Sequence, residues 1–452
     1  EHIRAPRTAM SETSATSLEP EAPRGSPRSD GDASFRRTAY PLAVVIAIAL
    51  AVIVGTLNAR GADEATDGFG GDYPAFYGAG EIASAGDWDN LYSIDRQVEA
   101  QRGLHPTSEG DVARFFAYPP QVAFLYQPLA GLEYHLSYLL HTLLMAMLLW
   151  GSLLLARPML PWLDGRILLA LAASLVFWPM FRTVTGGSNT ALTLLLIVGA
   201  WRLVYDGRQF VAGLLLAALL YKPQFAIPMI GLFLLARYWR VVFGAGVGAA
   251  AFYLSGALLR GWGWLAEWAE VAGEFGKIDA EINGHSSVSF IGFAENLFGV
   301  GLSGPVIVAW LLAGATALFL AWIWWRAPED ALPRLLAITM PGILLLSLHA
   351  MSHDGAIVVL TAGVAVLVWP VRAWRPWMIG VWVLGASQAF IRTLGFSPGL
   401  FMLLVALLWG WLLLGRSRPT ARGSGDRDMH STATTVETVP GDEVPHTSGA
   451  AN

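Results

Sequence analysis

Twelve apolar stretches fill the middle of this chain, and almost nothing else it could fold into survives that fact. They run over 40–58, 134–156, 166–182, 189–205, 209–221, 223–236, 240–259, 304–325, 333–348, 355–370, 376–391 and 398–414. Several are long enough as helices to cross about 30 Å of hydrocarbon. In lipid a backbone must satisfy its own polar groups, so such stretches become helices. Only 14% of the 452 residues are charged, against about a quarter in a soluble chain. The mean hydropathy is +0.49. The 19 Trp residues suit a chain with membrane interfaces. The expected fold is all-α: a polytopic helix bundle of about 12 spans, with short helices in its outer loops.

With no Cys, a disulfide framework and a thiol nucleophile are both excluded. Residues 1–38 are rich in Ser, Pro, Thr, Ala and Arg without apolar period, and 416–452 are similar. Both read as disordered tails. Residues 39–415 then form one membrane domain. The stretch at 40–58 follows Arg36 and Arg37 and reads as a retained first span, not a cleaved signal.

Basic residues set the orientation. Arg36 and Arg37, Arg157 and Arg166, Arg202 and Arg208, Arg237 and Arg240, Arg326 and Arg334, Arg372 and Arg375, and Arg416 and Arg418 mark successive turns. All fall on one face if 209–236 crosses twice, turning back at Lys222-Pro223. That face is the cytoplasm, both tails lie there, and 59–133 and 260–303 become the large outer loops. Residues 59–117 hold eleven Asp or Glu against four Arg. Loops this long usually carry function.

Several outer groups can carry chemistry. Asp72 shares a helical face with Phe76 and Ala79, with Tyr73 and Tyr77 alongside. It is a candidate general base, or else caps a surface helix whose aromatics sit in the interfacial belt. Arg114 precedes Phe115-Phe116-Ala117-Tyr118-Pro119-Pro120. Arg114 can meet a phosphate or be a solvated loop charge, and the Pro pair ends any helix and turns the chain. Lys222 in Tyr221-Lys222-Pro223-Gln224 stands alone among apolar residues. It needs a partner, an anionic headgroup, or room to snorkel. His349 and His353-Asp354 lie at an outer turn. They suit proton relay or hydroxyl binding, or an ordinary capped turn, and make a weak metal site without a further ligand. Asn283 and His285 lie in the second loop, where the string Asn283-Gly284-His285-Ser286-Ser287 is either hydroxyl-binding or a plain turn. Arg182, before Gly186-Gly187-Ser188-Asn189, breaks the basic-side pattern, a hint of a local role.

Taken together, GDYPAFYGAG with the later NLY, FAYPPQVAFLYQPLAGL, GGSNTALTLLL, LLYKPQFAIPMIGLFLLARYWR and SHDGAIVVL resemble, in content and order, glycosyltransferase family 87 of the polytopic GT-C transferases. The resemblance spans roughly 40–415. That family includes mannosyltransferases of phosphatidylinositol mannoside synthesis that use polyprenol-phosphate mannose. It implies a catalytic base at Asp72, a donor-phosphate contact at Lys222 and a late His/Asp turn at His353 and Asp354; Lys222, with Arg114 or Arg182, would hold the phosphate. Tyr73, Tyr77, Tyr118, Gln224, Asn283 and His285 are further binding candidates. The implied reaction is inverting and metal-independent, with no cofactor beyond a polyprenyl-phosphate sugar as donor and a lipid or glycan as acceptor. The implied setting is a bacterial plasma membrane with an extracytoplasmic site, a monomer or small oligomer, and no nucleic-acid partner. Two departures bear on the acceptor pocket: Gly187-Ser188 where Gly-Gln is common, and Gly355-Ala356 where Leu-Val is usual. A secondary transporter or flippase would instead need charged spans and an inverted repeat. A non-catalytic assembly protein would need large exposed apolar loop patches.

Overall fold

The computed structural model describes residues 71–104, 114–328 and 331–415. The stretch at 40–58, both tails and the loop residues 105–113 lie outside them. Among the described residues the chain is helical, with a single isolated β-bridge between Ser287 and Met351.

The first outer segment folds as α1 (Tyr73–Ser84), α2 (Ile94–Ala100) and α3 (Pro120–Ala130). The membrane part begins with α4 (Tyr134–Ala156). Glu133 caps it, accepting from the backbone N–H groups of His135 and Leu136, both at 3.0 Å. Those bonds, with the His135 ring, hold the Glu133 carboxyl down at about 2. The stretch expected as one span over 166–182 is instead two helices, α5 (Ile167–Val176) and α6 (Trp178–Thr185), bent by 87°. Pro179, in the first turn of α6, has no N–H with which to continue α5. Phe177 is extended at the break, with ψ 112°.

Next come α7 (Thr190–Tyr205), α8 (Gln209–Ala218), α9 (Pro223–Leu235) and α10 (Trp239–Arg260). The 209–236 region goes out and comes back. Phe210 and Gly213 at the start of α8 lie against Gly244 and Val241 at the start of α10, while Phe233 near the end of α9 packs on Tyr238 just before α10. Both arms therefore end at the same side, with Lys222 at the tip. A Cβ on Gly213 would sit 2.0 Å from the Val241 carbonyl oxygen, and one on Gly244 the same distance from that of Phe210. Small residues let these backbones approach, as is usual where helices pack in lipid.

The second outer segment folds as α11 (Trp264–Asn283) and α12 (Phe290–Phe298). The remaining helices are α13 (Gly304–Arg326), α14 (Leu332–Leu346), α15 (Val359–Val368, after a 3₁₀ turn over Asp354–Val358), α16 (Val371–Ser387), the short α17 (Ile391–Leu394) and α18 (Gly399–Leu414).

Three helices, α4, α10 and α13, are individually long and apolar enough to cross a membrane, and the bent α5–α6 pair makes a fourth candidate. Six further apolar helical segments have 10–17 residues. The difference in length matters. The arm Gln209–Tyr221 rises only about 20 Å at 1.5 Å per residue, against about 30 Å of hydrocarbon. A turn at its tip is therefore recessed below the ends of the long helices. The outer segments roof this recess. Arg260, at the end of α10, binds the Glu267 carboxylate and donates to the Asp89 carbonyl at 3.1 Å. Trp268 of α11 donates to the Ala117 carbonyl at 3.0 Å.

Candidate active site

Asp72 stands at the N-terminus of α1, exposed, and its side chain caps nothing. Its place is fixed through its backbone, which donates to the Gly186 carbonyl at 3.0 Å. Gly71 makes the approach possible. It has φ +60°, and a Cβ there would lie 2.4 Å from the Gly186 oxygen. A residue with a side chain would be strained at that φ and would push the two segments apart. The 185–187 turn is held in its own right. The Tyr138 hydroxyl donates to the Thr185 carbonyl at 2.5 Å, and the Gly186 N–H to the Arg182 carbonyl at 2.8 Å.

Below this lies a buried ion pair. Lys222 Nζ is 2.9 Å from Asp354 Oδ1, and both side chains are 4% exposed. Thr190, first residue of α7, donates to the same carboxylate oxygen at 2.7 Å and accepts from Lys222 at 3.2 Å. The other oxygen, Asp354 Oδ2, accepts from the Met351 N–H at 3.1 Å. A lysine recessed in an apolar hairpin needs this partner. The pairing brings together α7, the tip before α9 and the 3₁₀ turn before α15. The Lys222 charge is matched inside the protein by Asp354.

His353 sits at the junction. Its Nε2 is 3.9 Å from Asp354 Oδ1, and its carbonyl accepts from Thr183 at 2.9 Å. Asp354, Asp72, Lys222 and Arg182 all act electrostatically on His353. Arg182 is exposed, on α6 one turn before Gly186. Tyr118 is within electrostatic reach of both Asp354 and Asp72. Its ring stacks on Tyr221 with centroids 6.3 Å apart.

Other expected residues lie elsewhere. Tyr73 is fully buried, packed among Tyr77, Tyr126, Tyr134, Tyr138 and His141. Its hydroxyl pairs with Ser137 at 2.5 Å, and burial pushes it up to about 12. The Tyr77 hydroxyl donates to the Leu132 carbonyl at 2.9 Å. Both tyrosines pack in the α1–α3–α4 contact. Asn283 donates to Asp279 at 2.7 Å, within α11. His285 is half-buried in the turn that follows. Gln224 donates weakly to the His349 carbonyl at 3.5 Å, and His349 Nδ1 faces Asp279 Oδ2 at 3.6 Å. The Asp279 contact ties α11 to the 349–353 turn, Gln224 ties the start of α9 to it, and the Val288 N–H bond to the Ala350 carbonyl at 2.9 Å ties the segment between α11 and α12 to it. Arg114 has its backbone N–H and carbonyl held by Gln101, at 2.8 and 2.7 Å. Among the described residues, no three His, Asp or Glu side chains converge as metal ligands.

Sequence reasoning missed Thr190 and the side-chain roles of Gln97 and Gln101. Gln97 clamps both polar backbone groups of Phe116, at 2.8 and 3.3 Å, as Gln101 does for Arg114. The spacing of four was visible in the sequence and puts both amides on one helix face. Thr190 follows directly on the Gly-Gly-Ser-Asn string, as the first residue of the apolar run, and a hydroxyl at a helix start signals little by itself.

The described residues thus form an apolar helix bundle of the membrane-protein class, with an exposed carboxylate and a buried ion pair near the same end. The glycosyltransferase family 87 model matches residues 116–348, 233 of the 452 residues. The chain belongs to glycosyltransferase family 87 and is a membrane glycosyltransferase. No curated protein and no solved structure matches it. The matched region contains Tyr118, Arg182, Thr190 and Lys222, whereas Asp72, His353 and Asp354 fall outside it. Those three are joined to it by geometry: Asp72 through Gly186, His353 through Thr183, and Asp354 through Thr190 and Lys222.

Proposed function

We propose that this glycosyltransferase moves a sugar, mannose or a related one, from a polyprenyl-phosphate donor to a lipid or glycan acceptor, with inversion, at the extracytoplasmic face of a bacterial plasma membrane. The two chain ends are then cytoplasmic. Asp72 is the general base. The acceptor hydroxyl attacks the anomeric carbon and gives its proton to the Asp72 carboxylate. The bond from that carbon to the phosphate oxygen breaks, and polyprenyl phosphate leaves with the electron pair. The leaving group is already an anion, so it calls for positive charge and no acid.

The single observation that carries this reading is the placement of Asp72. It is an exposed carboxylate, fixed by its backbone and without a side-chain partner among the described residues, beside a turn bearing an exposed arginine. Arg182 is the phosphate contact, since a planar guanidinium suits phosphate oxygens. Lys222 acts from below by holding Asp354 and, through it, the 349–354 turn. Family membership removes the transporter and assembly readings.

The test is a transfer assay with purified protein, a panel of polyprenyl-phosphate sugars and a lipid extract. Asp72→Asn removes the base and preserves the shape, so turnover is expected to fall about 10²- to 10⁴-fold with donor binding little changed. Wild-type turnover in Asp72→Asn rejects the assignment.

A further inference from the structure

Asn189 is 2% exposed, and neither its Oδ1 nor its Nδ2 has a hydrogen-bond partner among the described residues. Such an amide is uncommon, because buried side-chain polar atoms are nearly always paired. Leaving one unpaired forfeits its hydration without return. Nor does the amide serve its own helix. Asn189 occupies the N-cap position of α7, yet its side chain makes no cap bond, and the Thr190 N–H turns to Ser188 Oγ at 3.4 Å instead.

Its location gives the amide a use. Three residues before it is Gly186, whose carbonyl holds Asp72, and directly after it is Thr190, which bonds the Lys222–Asp354 pair. The Asn189 carbonyl accepts from the Tyr221 hydroxyl at 3.2 Å, and Tyr221 carries the Tyr118 ring. The residue therefore lies, along the chain, between the turn that holds the proposed base and the threonine that bonds the ion pair. A carboxamide offers a donor and an acceptor side by side, and a sugar hydroxyl also does both. An anionic phosphate has no proton to give Oδ1 and is better served by Arg182.

Resting on the function proposed above, we propose that Asn189 recognises the donor sugar: its carboxamide binds a hydroxyl of the ring and so selects which sugar is transferred. Access requires a side chain to shift. Tyr118, half-buried and stacked on the Tyr221 ring whose hydroxyl bonds the Asn189 carbonyl, is a side chain whose shift would open that side. A site built to pair a hydroxyl discriminates strongly against an analogue that lacks it.

The experiment is a binding measurement on the full-length purified protein in detergent, which needs no turnover. The probes are polyprenyl phosphate, polyprenyl-phosphate mannose, and the corresponding monodeoxy sugars. In wild type the sugar should strengthen binding over the bare lipid phosphate, and one deoxy position should lose about tenfold of that gain. Asn189→Ala should lose the same increment for mannose and be indifferent to that deoxy position, with bare polyprenyl phosphate bound as in wild type. Asn189→Ser, a smaller polar replacement, guards against a folding failure, and the bare lipid phosphate reports an intact pocket in each variant. The proposal is overturned if wild type binds sugar-bearing and bare lipid equally. It is also overturned if the variants keep the sugar increment, or lose affinity alike for every probe. Failure of the wider function shows separately, as wild-type protein that transfers sugar from no donor in the panel.

Discussion

Lys222 and Asp354 lie 132 positions apart, and each is tolerable in its apolar surroundings only because of the other. Removing one member of a buried pair leaves an unmatched charge, which costs about 3–5 kcal/mol, whereas an apolar pair of similar volume is often neutral. Lys222→Met alone and Asp354→Leu alone should each lower the melting temperature in detergent markedly. The double variant should recover most of the loss, while staying poor in transfer because Thr190 and the Met351 N–H lose their shared acceptor. Equal melting temperatures for the singles and wild type would mean the pair does not hold the floor of the site. The sequence left Lys222 a partner, an anionic headgroup or room to snorkel, and Asp354 was already a candidate site residue. Nothing in spacing or periodicity could join them, because the contact depends on two breaks in helices meeting at the same depth.

At the scale of elements, helix bounds were legible wherever a full span had a polar stop. The stretch 134–156 coincides with α4, and 304–325 falls one residue short of the end of α13. The reversal at Lys222-Pro223 also followed from charge bias together with a proline. Two features were not legible. Residues 166–182 carry an unbroken apolar signal, yet Pro179 bends them by 87°. Residues 264–283 form one continuous helix with carboxylates along it, where only short loop helices were expected. Its residues are too polar to stand out on hydropathy, and its place comes from long-range contacts. One of these is the facing of Asp279 and His349 at 3.6 Å, with Asp279 also fastened to Asn283. Asp279→Ala should loosen the end of α11 from the 349–353 turn. Loss of about 1 kcal/mol of local stability raises amide exchange about fivefold for residues near 275–286, with the bundle helices unaffected. Hydrogen-exchange mass spectrometry reads this directly, and an unchanged rate there would show that α11 is held by its other end alone.

For the whole molecule the open matter is which end faces out. Asp72, Arg182, Lys222 and His353 all belong to one end. The outer helices α1 to α3 and α11 roof that end, and the turns carrying Arg157, Arg202, Arg237 and Arg326 belong to the other, by the alternating direction of successive helices. The excess of arginine over short connections predicts that the second end faces the cytoplasm. An enzyme whose donor carries its sugar on a lipid phosphate requires the first end and its carboxylate to face the compartment where the acceptor is found. The chain contains no cysteine, so single cysteines report position without background. Ser84, exposed at the end of α1, and Asp164, exposed in the turn between α4 and α5, suit the purpose. A membrane-impermeant maleimide should label Ser84→Cys in intact cells, and Asp164→Cys only after permeabilisation. The reverse pattern would place Asp72 in the cytoplasm, with the acceptor drawn from that side. Labelling of both positions in intact cells would mean that the two ends are not on opposite sides of the membrane, and the recessed, lipid-facing site argued from helix lengths would lose its basis.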